Sequence, residues 1–397
     1  MISEKMYELG SKRSSIRELF EYGKQRVAIV GKENVFDFSI GNPTVPAPEC
    51  VKEAILNILE TEESVTIHGY TSAQGDLEVR KGLAEYLNKT YDLQVGPDNL
   101  YITCGAAASL CICIKALIES PEDEVVTIAP SFPEYKVFTE GNGGKLVVVP
   151  PDLTAFQVNM EALEAALTNR TKAVIINSPN NPSGVIYTEE TIKKISDLLK
   201  RKSETYGHPI FLISDEPYRE IAYDEVNVPY ITKYYSNTLV CYSYSKSLSL
   251  PGDRIGYILV PDEVVESKKV YAAICGAARV LGFVCAPSLF QKVILRCLGQ
   301  TSDIELYKRN RDLLYNKLTE LGFECVHPDG AFYLFVKAME EDAKIFCEKA
   351  KAYDLLLVPG DDFGCPGYVR ISYCVAQSML EKSFSAFQKL AEAYQTL

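Results

Sequence analysis

The chain is poor in the residues that mark a metal or haem site. Its three histidines, His68, His208 and His327, lie far apart in 397 residues, and no C-x-x-C pair occurs, so clustered zinc or haem ligands have no support. Basic residues are also in deficit, 41 against 53 acidic, for a net charge of −12. That balance argues against a nucleic-acid partner, whose phosphates call for clustered Lys and Arg. No apolar window approaches a membrane span. The opening MISEKMYELGSKRSSIRELF is charged throughout and lacks the apolar run of a secretory leader. The twelve cysteines are scattered, many in apolar runs such as CICIKAL at 111–117, which reads as reduced thiols in a cytoplasmic protein rather than a disulfide framework. Internal repeats and low-complexity segments are missing as well.

What is present is the texture of a soluble enzyme, with 47% hydrophobic and 24% charged residues. The length predicts two domains. A helix is expected over 14–29, with Ile16, Leu19 and Phe20 on one side. FDFSIGNPTVPAP at 36–48 then breaks regular structure with three prolines and a glycine. Seven short apolar runs follow, NLYIT (99–103), EVVTIA (124–129), KLVVVP (145–150), AVIIN (173–177), IFLIS (210–214), TLVCYS (238–243) and IGYILV (255–260), separated by helical stretches such as TEETIKKISDLLKRKS (188–203). This alternation predicts an α/β fold with a mostly parallel sheet of seven strands covered by helices on both faces. The pattern changes after Ala286-Pro287-Ser288, where long helical runs lead into GAFYLFVKA (330–338) and YVRISYC (368–374). We therefore expect a large domain over 48–287 and a smaller α/β domain made of 288–397 and the N-terminal arm, 1–47, with a hinge near 285–300.

Ligands of open α/β sheets bind beyond the C-terminal ends of the strands, and chemically able residues gather there. CGAAAS (104–109), PSFPEY (130–135), SPNNPSG (178–184), Asp215 with EPY and Tyr218, and SYSKSLSLPGDRIGY (243–257) each follow one of the runs. Taken singly each has a plain reading: NNPSG as a turn, Asp215 as a helix cap, Lys246 as a solvated side chain. Their order and spacing carry more than any one of them.

The ordered set GAAAS, PSFPEY, NSPNNPSG, SDEPY, SYSKSLSLPGDRIG and YVRIS resembles the fold type I, pyridoxal-phosphate-dependent aminotransferases of class I/II, the aspartate aminotransferase-like group, over about residues 36–374. The resemblance implies a large cofactor domain, a smaller α/β domain and a ping-pong transfer of an amino group from an L-amino acid to a 2-oxo acid. It makes Lys246 the residue that holds pyridoxal 5'-phosphate as a Schiff base and then shuttles the Cα proton. Asp215 would pair with the pyridine nitrogen, with Asn181 and Tyr218 on the 3'-oxygen and Phe132 stacked on the ring. The Asn181-Pro182 bond is expected to be cis. Gly105, Ala106 and Ala107, opening a helix, would take the phosphate with Ser243, Ser245 and Arg254, while Tyr70 in HGYTSAQG would reach the phosphate of a neighbouring subunit, implying a homodimer with shared active sites.

For the substrate, Arg370 in YVRIS matches the arginine that clamps the α-carboxylate, with Gly41 and Asn181 completing the pocket. The plain alternative for Arg370 is a structural ion pair. Arg279, in GAARVLGF, is spaced from Lys246 much like an arginine that some aspartate aminotransferases supply in trans, although its flanking residues differ, and Ala107 stands where other bacterial relatives carry a lysine. Aspartate as donor and 2-oxoglutarate as acceptor are the first expectation. Aromatic, branched or alanine substrates, a same-fold β-lyase or decarboxylase, and a non-catalytic effector-sensing regulator are the alternatives. Against the regulator stand the intact Lys246, Asp215 and Arg370 and the short stretch ahead of FSIGNP.

Overall fold

The computed structural model describes residues 2–11 and 15–395. A two-residue strand, β1 (Phe36–Asp37), precedes the main sheet of β2 (Leu100–Thr103), β3 (Glu124–Ile128), β4 (Lys145–Val149), β5 (Thr171–Asn177), β6 (Phe211–Asp215), β7 (Thr238–Ser243) and β8 (Gly256–Leu259). All seven expected runs form strands, in the spatial order β2-β8-β7-β6-β5-β3-β4. Strands β3 to β7 pair in parallel, and β8 runs antiparallel to both β2 and β7, so six of the seven share one direction. The link from Ser243 to Gly256 holds only the four-residue helix Tyr244–Ser247, too little for the helical crossover that a parallel return needs.

Strands buried on both faces need apolar cover on both sides. On one face the helix Ala106–Leu117 sets Leu110 and Ile114 beside Ile274 and Ala278 of the helix Ser267–Leu281. On the other, the helix Glu189–Tyr206 turns Ile192, Ile195 and Leu199 inward at helical spacing. Its start is fixed by Thr188, whose side chain accepts from the Thr191 N–H, and its end by Gly207 in the left-handed region. Each such buried aliphatic side chain contributes about 1.5–3 kcal/mol, and this anchorage makes the strand ends rigid platforms.

The smaller sheet comprises β9 (Cys325–Val326), β10 (Tyr333–Lys337), β12 (Val358–Pro359) and β13 (Tyr368–Ser372), in the order β12-β13-β10-β9, all antiparallel. Strand β11 (Leu355–Leu356) pairs in parallel with β1 and so ties the N-terminal segment to this sheet. The first long helix runs Ser15–Val30, and position 14 of the expected helix lies outside the described residues. Leu19 is buried beside Leu356, Val358 and Phe363 with Ile16 at the edge. Phe20 departs from the expected face: it stays exposed and covers the Lys24 ammonium at 4.1 Å. The helix Ser288–Arg296 sets Val293 and Ile294 among Val51, Ile58 and Leu83 in a core beside the main sheet, whereas Tyr307, Leu314 and Leu318 of the next helix, Ile304–Glu320, join the core of the smaller sheet. The chain therefore changes core between Cys297 and Tyr307.

Candidate active site

Three neighbouring parallel strands deliver the polar centre. β5 ends on Asn177, β6 on Asp215 and β7 on Ser243. Their ends open into a cavity of about 330 Å³ whose walls include Gly41, Ala106, Ala107, Phe132, Asn181, Asp215, Tyr218, Ser243, Ser245, Lys246, Arg254 and Arg370.

Asp215 is buried, and its Oδ2 accepts a 2.6 Å hydrogen bond from the Tyr135 hydroxyl. Oδ1 is sealed from solvent without a partner. Burial pushes this carboxyl up to about 7, opposed by the Tyr135 bond and reinforced slightly by Glu216. Asn177 locks the strand end: its side-chain N–H donates to the Asp215 carbonyl at 2.9 Å, and its Oδ1 accepts from the Asn181 N–H at 2.7 Å. The Asn181-Pro182 bond is cis, as are Ala129-Pro130 and Ser178-Pro179.

Lys246 lies on the single-turn helix after β7, whose N-terminus is capped by the Ser243 side chain. Its Nζ donates to the Gly41 carbonyl at 2.7 Å and sits 5.4 Å from the centre of the Phe332 ring. Burial pulls the amine down to about 8 from an ordinary 10.5; the Cys374 thiol opposes this, and the Arg370 and Arg254 guanidiniums add to it. At neutral to mildly alkaline pH an appreciable share of this amine is therefore uncharged and nucleophilic.

The opposite end of the cavity is built for an anion. Gly105 adopts φ +90° ahead of the helix Ala106–Leu117, and a Cβ there would stand 3.1 Å from Arg254 Nη2. A Cβ on Gly256 would meet the Tyr242 carbonyl at 2.2 Å and Gly105 Cα at 3.0 Å, so two glycines let the backbones close beneath the helix terminus. Ser243 Oγ and Ser245 Oγ are 2.8 Å apart, and Arg254 is braced by the Pro251 carbonyl at 2.8 Å. Backbone N–H groups, two hydroxyls and a guanidinium together match a phosphate group.

Arg370, on β13, is buried from the small-domain side. It donates to Asn181 Oδ1 at 3.1 Å and to the Ser39 carbonyl at 2.5 Å, and it lies 4.6 Å and 4.9 Å from the centres of the Tyr333 and Phe363 rings. Its Nε has no partner, and among the described residues no carboxylate pairs with it. A buried guanidinium facing a cavity without a counter-ion can accept a carboxylate there. Gly41 fits because a Cβ there would fall 2.0 Å from the Tyr333 hydroxyl. Tyr333 in turn shares a 2.9 Å bond with Tyr218.

Two expected residues lie elsewhere. Tyr70 is 98% exposed, and Arg279 is exposed on the helix Ser267–Leu281; neither lines this chain's own cavity. Both were expected to act on a neighbouring subunit, and both point to solvent in this chain. Conversely, sequence reasoning passed over Tyr135, Asn177 and Tyr333 in the polar network and Ile16, Ile40, Leu110, Pro217 and Pro251 in the walls. A polar residue ending an apolar run was a usable signal for Asn177; Ile16 carried none.

The sequence matches the family Aminotransferase class I and II over residues 33–387. An aspartate aminotransferase from Thermotoga maritima is 29% identical over 397 residues, 98% of each chain. A probable aspartate aminotransferase from Methanocaldococcus jannaschii is 31% identical over 391 residues, covering 96% of this chain and 98% of that one. Among solved structures, an aminotransferase from Eubacterium rectale has a TM-score of 0.98 at 61% identity, covering 99% of both chains. Members of this family use pyridoxal phosphate. The unpartnered Asp215 Oδ1, the glycine-floored anion cradle and the depressed Lys246 amine suit that cofactor's ring nitrogen, phosphate and aldehyde. With the family match running nearly end to end over an α/β fold of the same kind, the chain belongs to the class I and II aminotransferases.

Proposed function

We propose that this aminotransferase holds pyridoxal 5'-phosphate in the described cavity and moves an amino group from aspartate to 2-oxoglutarate. The observation that carries the cofactor assignment is Asp215 Oδ1, a buried carboxylate oxygen with no partner in the same cavity as Lys246. Such an oxygen calls for a protonated nitrogen opposite it. When bound, the pyridinium ring supplies an electron sink for the charge left on Cα as its proton departs. Asp215 keeps that ring nitrogen protonated, with Tyr135 and Asn177 fixing the carboxylate. Asn181 and Tyr218 would hold the ring oxygen, Phe132 would cover the ring, and Gly105, Ala106, Ala107, Ser243, Ser245 and Arg254 would take the phosphate. Lys246 would hold the cofactor through its aldehyde carbon and, once the substrate's own amino group has displaced it there, would be the amine placed to move the Cα proton. Arg370 receives the α-carboxylate beside Gly41 and Asn181.

Aspartate stands first because relatives of this chain bear that name. The cavity's own cations, Lys246, Arg254 and Arg370, all have other duties, so a side-chain carboxylate would draw on a second subunit. Arg279 and Tyr70 are exposed where a partner could use them. Val65 (81% exposed), Val280 (74%) and Tyr70 (98%) are exposed on segments joined by the Ser288 Oγ bond to the Ile67 carbonyl and the Cys285 N–H bond to the Ala73 carbonyl. Apolar side chains exposed this far suit a protein interface, and we assign this face to a homodimer. The core change near 297–307 supports a large and a small domain that meet at Arg370 and Asn181. All twelve cysteines are free thiols, which supports the cytoplasm as the compartment.

The test is a cofactor titration followed by single amino acids. Aspartate should bleach the visible absorbance of the loaded protein, and 2-oxoglutarate should restore it. Release of pyruvate and ammonia, or bleaching by no amino acid, would reject transamination. Bleaching by aromatic or branched amino acids but not by aspartate would reject the donor alone.

A further inference from the structure

We propose that a second, small cavity, walled by Glu220 and a group of tyrosines, binds one monovalent cation of potassium or ammonium size. The cavity measures about 30 Å³ and lies among Tyr86, Tyr91, Tyr242, Tyr244 and Tyr257, closed by the turn at 297–301, and it shares no wall with the active site. Glu220 is half-buried as a residue, with the Tyr242 hydroxyl interacting with its carboxyl, but its Oε2 in the cavity wall is sealed from solvent and has no hydrogen-bond partner of its own. The charges around it do not cancel. Arg219, the nearest buried cation, is taken by Glu216 at 2.5 Å, both side chains being almost fully buried. Two carboxylates and one guanidinium leave one negative charge over.

A carboxylate in that position must acquire a proton or a cation. Burial raises the Glu220 carboxyl only to about 6, because the Tyr242 hydroxyl and the Arg219 charge favour its ionised form. At the pH of the cytoplasm the carboxylate is therefore largely ionised and lacks a counter-ion.

Size and ligand type narrow the occupant. The space is that of about one water molecule, which leaves room for a single-centre ion and excludes organic ammonium compounds. Among the described residues no group of three His, Cys, Asp or Glu exists to hold a metal, and one carboxylate does not satisfy a divalent ion. The walls are rings: Tyr242 and Tyr257 stack at 4.9 Å, with Tyr244 edge-on to Tyr242 at 5.0 Å. With those ring faces turned on one another, the cavity offers oxygen ligands rather than ring faces, and these suit weakly hydrated cations, potassium and ammonium more than sodium.

The site also reaches the chemistry. The Tyr242 hydroxyl shares a 2.9 Å bond with Ser247 Oγ, next to Lys246, and the Ser247 carbonyl accepts from the Ser302 N–H at 2.7 Å, just past the cavity-closing turn. An ion held by Glu220 would thus brace the helical turn that presents Lys246.

The holoenzyme is exchanged into tetramethylammonium chloride and titrated with potassium, ammonium or sodium chloride at constant ionic strength. Potassium and ammonium should raise the melting temperature by about 3 °C with a saturable dependence, sodium by less than half of that, and Glu220→Gln should abolish the response. Thallium(I) NMR, with thallium standing in for potassium, should show one ion per wild-type chain, displaced by potassium and absent from the variant. Equal melting in every chloride overturns the proposal, as expected for a water beside a protonated carboxyl. No bound thallium in the wild type overturns it too, whether or not the variant folds. Thallium binding that survives Glu220→Gln assigns the ion elsewhere and overturns this site.

Discussion

Replacing Arg370 by glutamine distinguishes a receptor from a structural ion pair, because the two make opposite demands on stability. The guanidinium is buried with no carboxylate, held by Asn181 Oδ1, the Ser39 carbonyl and two aromatic rings, and its Nε is unpartnered. A structural pair broken at one end would cost about 3–5 kcal/mol of folding stability. Here nothing charged is left behind, and the amide of glutamine can still donate to Asn181 or Ser39. Stability of the unliganded holoenzyme should therefore change by no more than about 1 kcal/mol. Substrate binding should suffer instead: losing a fork of charge-assisted bonds to a desolvated carboxylate costs about 2–5 kcal/mol, or roughly 30- to 5000-fold in kcat/KM. The assays are urea unfolding, a cofactor titration and initial rates with aspartate, all on the same preparation. Cofactor affinity should stay within about threefold, since Arg370 touches the far end of the cavity. A variant that loses 3 kcal/mol or more of stability yet keeps wild-type kcat/KM per folded molecule would refute the reasoning.

Other outcomes follow from the same geometry. In the apoprotein, the depressed Lys246 amine binds fewer protons folded than unfolded between about 8 and 10.5. Lys246→Met should thus stabilise the apoprotein at pH 7 by an amount on the order of 2 kcal/mol, and the gap should narrow as pH climbs through that window while amine transfer is abolished. Asp215 runs the other way: its raised carboxyl burdens the apoprotein increasingly from pH 3.8 to about 7, so Asp215→Asn should unfold later than wild type at pH 8 but release the cofactor on dialysis. Gly41→Ala places a Cβ 2.0 Å from the Tyr333 hydroxyl and should raise KM for the amino acid more than tenfold, as read by steady-state kinetics, while leaving cofactor absorbance intact. Val280→Glu, at a side chain 74% exposed on the surface with Tyr70, should shift sedimentation from dimer to monomer and lower activity in proportion.

The main sheet was legible because its strands are short, mostly apolar runs, a pattern set by burial on both faces, and β5, β6 and β7 end on polar residues where that burial stops. Asp215 and Lys246 stood out for the same reason: chemistry begins where the apolar run stops. The mostly parallel direction was legible from the helices between the runs, but the reversal of β8 was not, because it follows from the short link after β7. Tyr135 was hidden in PSFPEY, where the aromatic that draws notice is Phe132; its hydroxyl reaches Asp215 across 80 residues of sequence. Ile16 enters the cavity only because β1 pairs with β11 and carries the N-terminal helix onto the small domain, a contact without local signature. The helix Ser288–Arg296 stays in the large-domain core because its apolar face meets Val51 and Leu83, a partnership that periodicity cannot choose.

The hydrogen bond from Lys246 to the Gly41 carbonyl joins a strand end of the large domain to the loop that borders the α-carboxylate receptor. While the amine is free, it acts as a mooring line between the two walls. A bond that occupied the nitrogen would remove that line and leave the Gly41 loop held from the β13 side, where Arg370 donates to the Ser39 carbonyl and Thr44 to the Cys374 carbonyl. The loop would then belong to one wall alone, so the state of a single amine decides whether it is tied across the cavity or only along its own side.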